Sequence, residues 1–237
     1  MQEPRKGRGV QAVYRWFDEA VKYPGGRLLV RLGLTGNQVT LAGLAISGLA
    51  AVVIALTGPF WLGGLLFLLG AYADLFDGAV ARLRGTDRTS RLGGWLDTFA
   101  DKLGEAALLL GVAFALPDVN DVRLAAAVAL SSLLVGFAKA AAGEYYIRPQ
   151  WLEVKLFGRP GRVVLLSAGL LLSGVPGLDP LAVVRIMLWV MLLGFNVPVL
   201  LQRVSKILVH AQSEEAARDV GLGQQAPTAE DGHEQRR

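Results

Sequence analysis

The chain has no cysteine and only two histidines, His210 and His233. Disulfides and thiolate metal centres are thereby excluded, and an imidazole-built zinc site lacks ligands, so any metal has to sit on oxygen. Charge is scarce as well: 19% of the 237 residues are charged and 53% are hydrophobic, with a mean hydropathy of +0.43. An ordinary soluble domain carries more charge, and the composition points to a bilayer. The basic excess, with a sequence pI of about 9.6, does not imply nucleic acid. Most Arg and Lys flank apolar stretches, where anionic lipid headgroups are the nearer partner. No compact apolar core followed by a small-residue cleavage site occurs in the first forty residues, so the first span is expected to stay in the mature protein.

No residue from Thr35 to Ala73 is charged. Gly58-Pro59 interrupts this run, which predicts two membrane-crossing helices joined by a tight turn. Further spans are expected from about Leu92 to Leu116, Leu124 to about Tyr146, Arg162 to Leu178 and Leu181 to about Leu201. The fold class is therefore all-α, a polytopic membrane protein with six transmembrane helices and both termini on one side. Arg27 and Arg31 precede span one, Arg84, Arg88 and Arg91 join two to three, Arg148, Lys155 and Arg159 join four to five, and Arg203 and Lys206 follow six. The positive-inside rule makes that side cytoplasmic. The opposite connections hold only Arg123, beside Asp118 and Asp121, with Arg185 near enough to snorkel out. Residues Val10 to Leu32 interleave Val13, Trp16, Phe17 and Val21 with Arg15 and Lys22, the pattern of an amphipathic helix lying on the cytoplasmic surface; the alternative is a flexible basic leader. The expected organisation is an interfacial segment over 1–33, a six-helix membrane domain over 34–209 and a disordered cytoplasmic tail over 210–237.

Chemistry concentrates in two stretches. On a helix, Asp74, Asp77, Gly78, Ala81 and Arg82 fall on one face, and Gly93, Asp97 and Asp101 are likewise spaced by four. If spans two and three pack side by side, four carboxylates converge near the membrane surface. Their mutual repulsion, and the ~3 kcal/mol cost of one uncompensated charge in a span, require cations. Carboxylate oxygens suit Mg²⁺ or Mn²⁺, and two such ions are the usual clamp for phosphoryl transfer. Arg82 is placed to hold a diphosphate oxygen, and Gly78, Ala81 and Gly93 leave room for a bulky nucleotide. The bland alternative is that these Asp residues pair with Arg82 or Lys102 and only join helices.

The pattern resembles the signature of the CDP-alcohol phosphotransferase family, Asp-x2-Asp-Gly-x2-Ala-Arg-x8-Gly-x3-Asp-x3-Asp. Asp74, Asp77, Gly78, Ala81, Arg82, Gly93, Asp97 and Asp101 match every specified residue, with ten residues instead of eight between Arg82 and Gly93. Leu34 to Thr40 also resembles the family's Leu-Thr-Pro-Asn-x-x-Thr start of the first span, Gly36 standing for Pro. The resemblance implies transfer of a phosphatidyl group from CDP-diacylglycerol to an alcohol. It makes Asp74, Asp77, Asp97 and Asp101 metal ligands and gives Asp101 the further role of general base. Contacts to the CDP-lipid are implied for Asp74, Gly78, Ala81, Arg82 and Gly93, and for Asn37 and Thr40.

For the acceptor, Lys139, Arg159 and Arg162 resemble basic positions with which bacterial phosphatidylinositol-phosphate synthases bind inositol phosphate, although Ala141 stands where a second basic residue is usual. Leu200 to Val204 is similar to that subfamily's last span. Asp97-Thr98-Phe99-Ala100-Asp101-Lys102-Leu103 is instead similar to phosphatidylglycerol-phosphate synthases. A phosphorylated polyol is expected, inositol phosphate ahead of glycerol phosphate; ordinary cytoplasmic positive charge is the bland reading of the trio. The family resemblance implies a homodimer, and Gly48, Gly63, Gly64 and Gly70 offer small surfaces for helix contact. A transporter and a non-catalytic CDP-lipid binder are the readings from other classes.

Overall fold

The computed structural model describes residues 22–85, 91–144 and 159–224, and every element among them is helical. In chain order these are α1 (Tyr23–Arg31), α2 (Gly36–Thr57), α3 (Phe60–Leu83), α4 (Arg91–Ala115), α5 (Val119–Glu144), α6 (Arg159–Leu172), α7 (Pro180–Trp189), a π-helical segment (Val190–Asn196) and α8 (Val197–Gln224).

Local chemistry sets the boundaries. Thr35 and Gln38 form a reciprocal capping box at the start of α2: the Thr35 hydroxyl accepts from the Gln38 N–H at 3.3 Å, and the Gln38 amide oxygen accepts from the Thr35 N–H at 2.9 Å. Gly58, left-handed at φ 85°, ends α2, and Pro59 leads into α3, so the hairpin turn lies where the sequence places it. Span five is shorter than expected. The helix stops at Leu172, not Leu178, because Gly174, Pro176 and Gly177 (φ 91°) break it. Asp179 then caps α7, accepting from the Leu181 N–H at 3.0 Å, with Pro180 in the first turn. The last span is longer than expected. Helical backbone runs from Pro180 through the π segment to Gln224, crossing residues 210–224 of the expected disordered tail, where Glu, Ala and Arg around position 215 favour helix. The rest of that tail, 225–237, lies outside the described residues.

Among the described residues four helices are long and apolar enough to cross a membrane: Gly36–Thr57, Phe60–Leu83, Val119–Ala142 and Pro180–Ser213. These make the chain an integral membrane protein. The other two expected spans fall short for different reasons. α4 has 25 residues but carries Asp97, Asp101, Lys102 and Glu105, whereas α6 has only 14 residues. Most of the expected interfacial helix, 10–21, lies outside the described residues. Its described remainder, α1, packs on α3, with buried Gly26 against Ala79 and Leu83.

Packing differs from the expected pairing of spans two and three. Among the described residues α3 and α4 meet at few places, and both pack along α2. Small residues make this possible. A Cβ on Gly70 would lie 2.7 Å from the Gly43 carbonyl oxygen, and one on Gly111 would lie 2.4 Å from that of Ala51. Gly63 and Gly64 are likewise used inside the chain, against Ile54 and Leu170, while Gly48 faces open space. Ile54, Leu108, Val112, Leu166, Leu170 and Met191 are fully buried and fill the end of the bundle near Gly58. Also at that end, Arg185 is half-exposed and reaches the first turn of α5 at the α4–α5 connection. It forms a bidentate pair with Asp121, Nε and an Nη donating at 2.7 and 2.6 Å.

Candidate active site

Up-and-down connectivity brings the C-terminal half of α3 and the N-terminal halves of α2, α4 and α6 to the opposite end of the bundle. On α3, Asp77 is half-buried, Gly78 buried and Arg82 exposed. The buried Thr40 hydroxyl of α2 lies 3.0 Å from Asp77 Oδ2 and 3.2 Å from the Gly36 carbonyl oxygen. A hydroxyl has one proton, and the carboxylate is the stronger acceptor, so Thr40 orients Asp77. Gly36 is a close crossing: a Cβ there would sit 3.1 Å from the Asp77 carbonyl oxygen and 3.5 Å from Ala81 Cβ. Arg82 Nε donates back to the Gly78 carbonyl oxygen at 3.0 Å. Asn37 is exposed in the first turn of α2, and Gly93 is half-buried at the start of α4.

On α4, Asp97 and Asp101 are half-buried, while Trp95 and Phe99 are exposed and stack with ring centroids 5.0 Å apart. Residues two apart on a helix point to different sides, so the aromatic pair marks the outer face and the carboxylates the inner one. A cleft between the helices is lined by Thr40, Gly43 and Ser47 of α2, Gly70 of α3, Asp101, Gly104 and Glu105 of α4, and Val163 of α6. Thr40 thus joins the two carboxylate-bearing helices, bonding Asp77 and facing the cleft that holds Asp101. The side chains of Asp74 and Arg159 lie outside the described residues. Among the described residues no three His, Cys, Asp or Glu side chains form a group able to hold a metal ion, so the expected four-carboxylate cluster is not assembled from described side chains alone. The donor chemistry nevertheless fits Mg²⁺ or Mn²⁺: the candidate ligands offer carboxylate oxygen only, and one of them is oriented by a hydroxyl.

Sequence reasoning missed the polar floor of this cleft. Glu105 is buried in α4, and its carboxylate accepts from the Ser132 hydroxyl of α5 at 2.8 Å. Arg162 Nε lies 3.3 Å from Glu105 and Lys102 Nζ 3.6 Å. Of the expected acceptor-binding trio, Arg162 is therefore buried in an ion cluster, and Lys139 is half-buried towards the end of α5. Deeper in, Asn196 on the π segment donates to Ser131 and Ser132, at 2.8 and 3.0 Å. Arg203 of α8 is also buried and donates to the Val135 carbonyl oxygen. One signal was available: Glu105 extends the Gly93, Asp97, Asp101 spacing by one more turn, and an ionisable residue in a span is a functional candidate by default.

Comparison with known proteins bears on this arrangement. The family profile described as CDP-alcohol phosphatidyltransferase matches residues 34–209. The phosphatidylinositol phosphate synthase of Mycolicibacterium smegmatis is 30% identical over 188 residues, spanning 78% of this chain and 82% of that one. The synthase of the same description from Streptomyces avermitilis is 33% identical, spanning 90% of this chain and 88% of that one. Among solved structures, the fold is similar to that of the Mycobacterium tuberculosis phosphatidylinositol phosphate synthase with CDP-DAG bound. The TM-score is 0.70 at 24% identity, covering 79% of this chain and 94% of that one. With the signature residues in place and the match extending over nearly the whole helical bundle, the chain belongs to the CDP-alcohol phosphatidyltransferase family.

Proposed function

We propose that the protein transfers the phosphatidyl group of CDP-diacylglycerol to inositol phosphate and releases CMP. The observation that carries this reading is the full signature, Asp74 to Asp101, inside a family match that covers the bundle, with relatives described as phosphatidylinositol phosphate synthases matched over most of their length. In this reading Asp74, Asp77, Asp97 and Asp101 hold Mg²⁺ or Mn²⁺, which when bound neutralises diphosphate charge. A structure of the M. tuberculosis synthase contains manganese, which agrees with that choice.

The chain's own residues do the rest. Asp101 takes the proton from the acceptor hydroxyl, whose oxygen attacks the lipid-side phosphorus; the bond from that phosphorus to CMP breaks. Thr40 keeps Asp77 in place. Gly78, Ala81 and Gly93 leave space for the nucleotide beside Asn37, and Arg82 steadies the diphosphate. Lys139, Arg159 and Arg162 hold the acceptor's phosphate, so that positioning and fixed charge supply most of the acceleration. α4 and α6 count as spans, for a total of six, with both termini and the site on the cytoplasmic side and α1 as part of an interfacial helix. The working unit is a homodimer.

The test is to incubate purified protein with CDP-diacylglycerol and Mg²⁺, offer inositol phosphate, inositol, glycerol phosphate and serine in turn, and identify the lipid product by mass. Inositol phosphate is expected to give phosphatidylinositol phosphate and CMP. Preference for glycerol phosphate would instead favour the reading suggested by Asp97 to Leu103, and preference for an unphosphorylated alcohol would remove the phosphate site.

A further inference from the structure

The floor of the cleft is electrostatically incomplete. Glu105 is the carboxylate between two cations, Lys102 and Arg162; Glu105 and Arg162 are buried, Lys102 is half-buried with its Nζ enclosed, and Asp101 and Arg203 also act on Lys102, so that three cations face two carboxylates. Lys102 Nζ and Arg162 Nε are buried and have no hydrogen-bond acceptor, because the Arg162 Nε approach to Glu105 at 3.3 Å is an ion contact without an aligned N–H. Buried donors left in this state mark a place where an acceptor group is missing. The same carboxylate faces the cleft that contains Asp101, one helical turn away.

Glu105 itself is held firmly. Its Oε1 receives the Ser132 hydroxyl proton at 2.8 Å, and the Ser132 oxygen receives the Asn196 amide at 3.0 Å. A serine oxygen that accepts from an amide is left with its single proton to give, so the Asn196 contact directs that proton to Glu105. Asn196 is the last residue of the π segment, and π turns inside helices are frequent at functional sites.

From this arrangement we propose that Glu105 is a positioning residue for the acceptor. Anchored through Ser132 to Asn196, it fixes Arg162 and Lys102 at the base of the cleft while leaving them one negative charge short, and the phosphate of the acceptor supplies that charge. The proposal rests on the phosphorylated-acceptor reading above. Glu105 does not contact the reacting atoms; it acts through Arg162.

The experiment is a kinetic and binding comparison of wild type, Glu105→Gln, Ser132→Ala, Arg162→Ala and the double variant Glu105→Gln/Arg162→Ala. Glu105→Gln is expected to raise the KM for inositol phosphate about tenfold or more, the scale of one charge-assisted contact, while KM for CDP-diacylglycerol and kcat at saturating acceptor stay within about twofold. Ser132→Ala should move acceptor KM the same way by a smaller factor. The double variant should be no worse than Arg162→Ala alone, since both changes remove one function. Calorimetric binding of inositol phosphate, without turnover, should weaken in parallel. Should Glu105→Gln fail to fold, Ser132→Ala and Glu105→Asp carry the same readouts. An unchanged acceptor KM, an equal rise for both substrates, or additive losses in the double variant would overturn the proposal. If the wild type ignores phosphorylated acceptors, the underlying reading falls and this inference with it; if Arg162→Ala raises acceptor KM but Glu105→Gln and Ser132→Ala do not, only the inference falls.

Discussion

At the scale of single residues, the carboxylates divide by what surrounds them. Asp77 is steered by the Thr40 hydroxyl at 3.0 Å, whereas Asp101 stands in the cleft itself. Asp101→Asn should therefore abolish transfer yet keep much of the affinity for CDP-diacylglycerol. Asp77→Asn should weaken Mn²⁺ binding and donor binding together, and EDTA should silence the wild type. Titration of Mn²⁺ by paramagnetic resonance separates these roles without relying on turnover; equal loss of Mn²⁺ affinity in both variants would make Asp101 chiefly a ligand. Helical spacing puts the signature residues on shared faces, and the roles proposed for them come from the family resemblance. The partners of Glu105 were not legible in the sequence. Ser132 and Arg162 come from helices whose mutual rotation depends on packing, and no local spacing announces a contact between residues 57 positions apart, as Glu105 and Arg162 are.

At the scale of helices, close crossings decide the shape of the cleft. The Gly43 and Gly70 backbones meet, with a Cβ on Gly70 only 2.6 Å from Ser47 Oγ and 2.7 Å from the Gly43 oxygen, whereas a Cβ on Gly48 meets nothing within 4 Å. Gly70→Ala should separate α2 from α3, costing about 1–3 kcal/mol as overpacking does, with reduced activity because Thr40 and Asp77 part. Gly48→Ala should be silent in both respects. Thermal unfolding in detergent, together with turnover, reads the contrast, and a silent Gly70→Ala would refute the crossing. The hairpin at Gly58-Pro59 could be read from the chain, since glycine and proline punctuate it. The connection after α6, Ser173 to Pro180, is punctuated in the same way by Gly174, Pro176 and Gly177, and only apolar Val175 and Leu178 carry the expected span past it. The π segment lies deeper still, in a run of apolar residues whose composition is the same for α and π winding.

At the scale of the whole molecule, sidedness is the testable property, and the missing cysteines make it convenient. Thr57→Cys and Arg84→Cys place one thiol at each end of the bundle, at exposed positions, in an otherwise thiol-free chain. In intact cells a membrane-impermeant maleimide should label position 57 and spare position 84, and inverted vesicles should reverse the pattern; labelling of both in intact cells would contradict the arrangement. The ion cluster around Glu105 also bears on how the chain enters a bilayer. On the insertion scale a charged residue costs up to ~3 kcal/mol, most at mid-span, so α4 with Asp97, Asp101, Lys102 and Glu105 is a poor substrate for insertion by itself, and α6 carries Arg162 in the first turn of a helix of only 14 residues. Each holds the counter-charge that the other needs. In the proposed six-span arrangement the two are expected to enter lipid together and late, after the hairpin of α2 and α3, which is free of charge from Thr35 to Ala73, so that insertion is expected to proceed by cooperative units and not helix by helix.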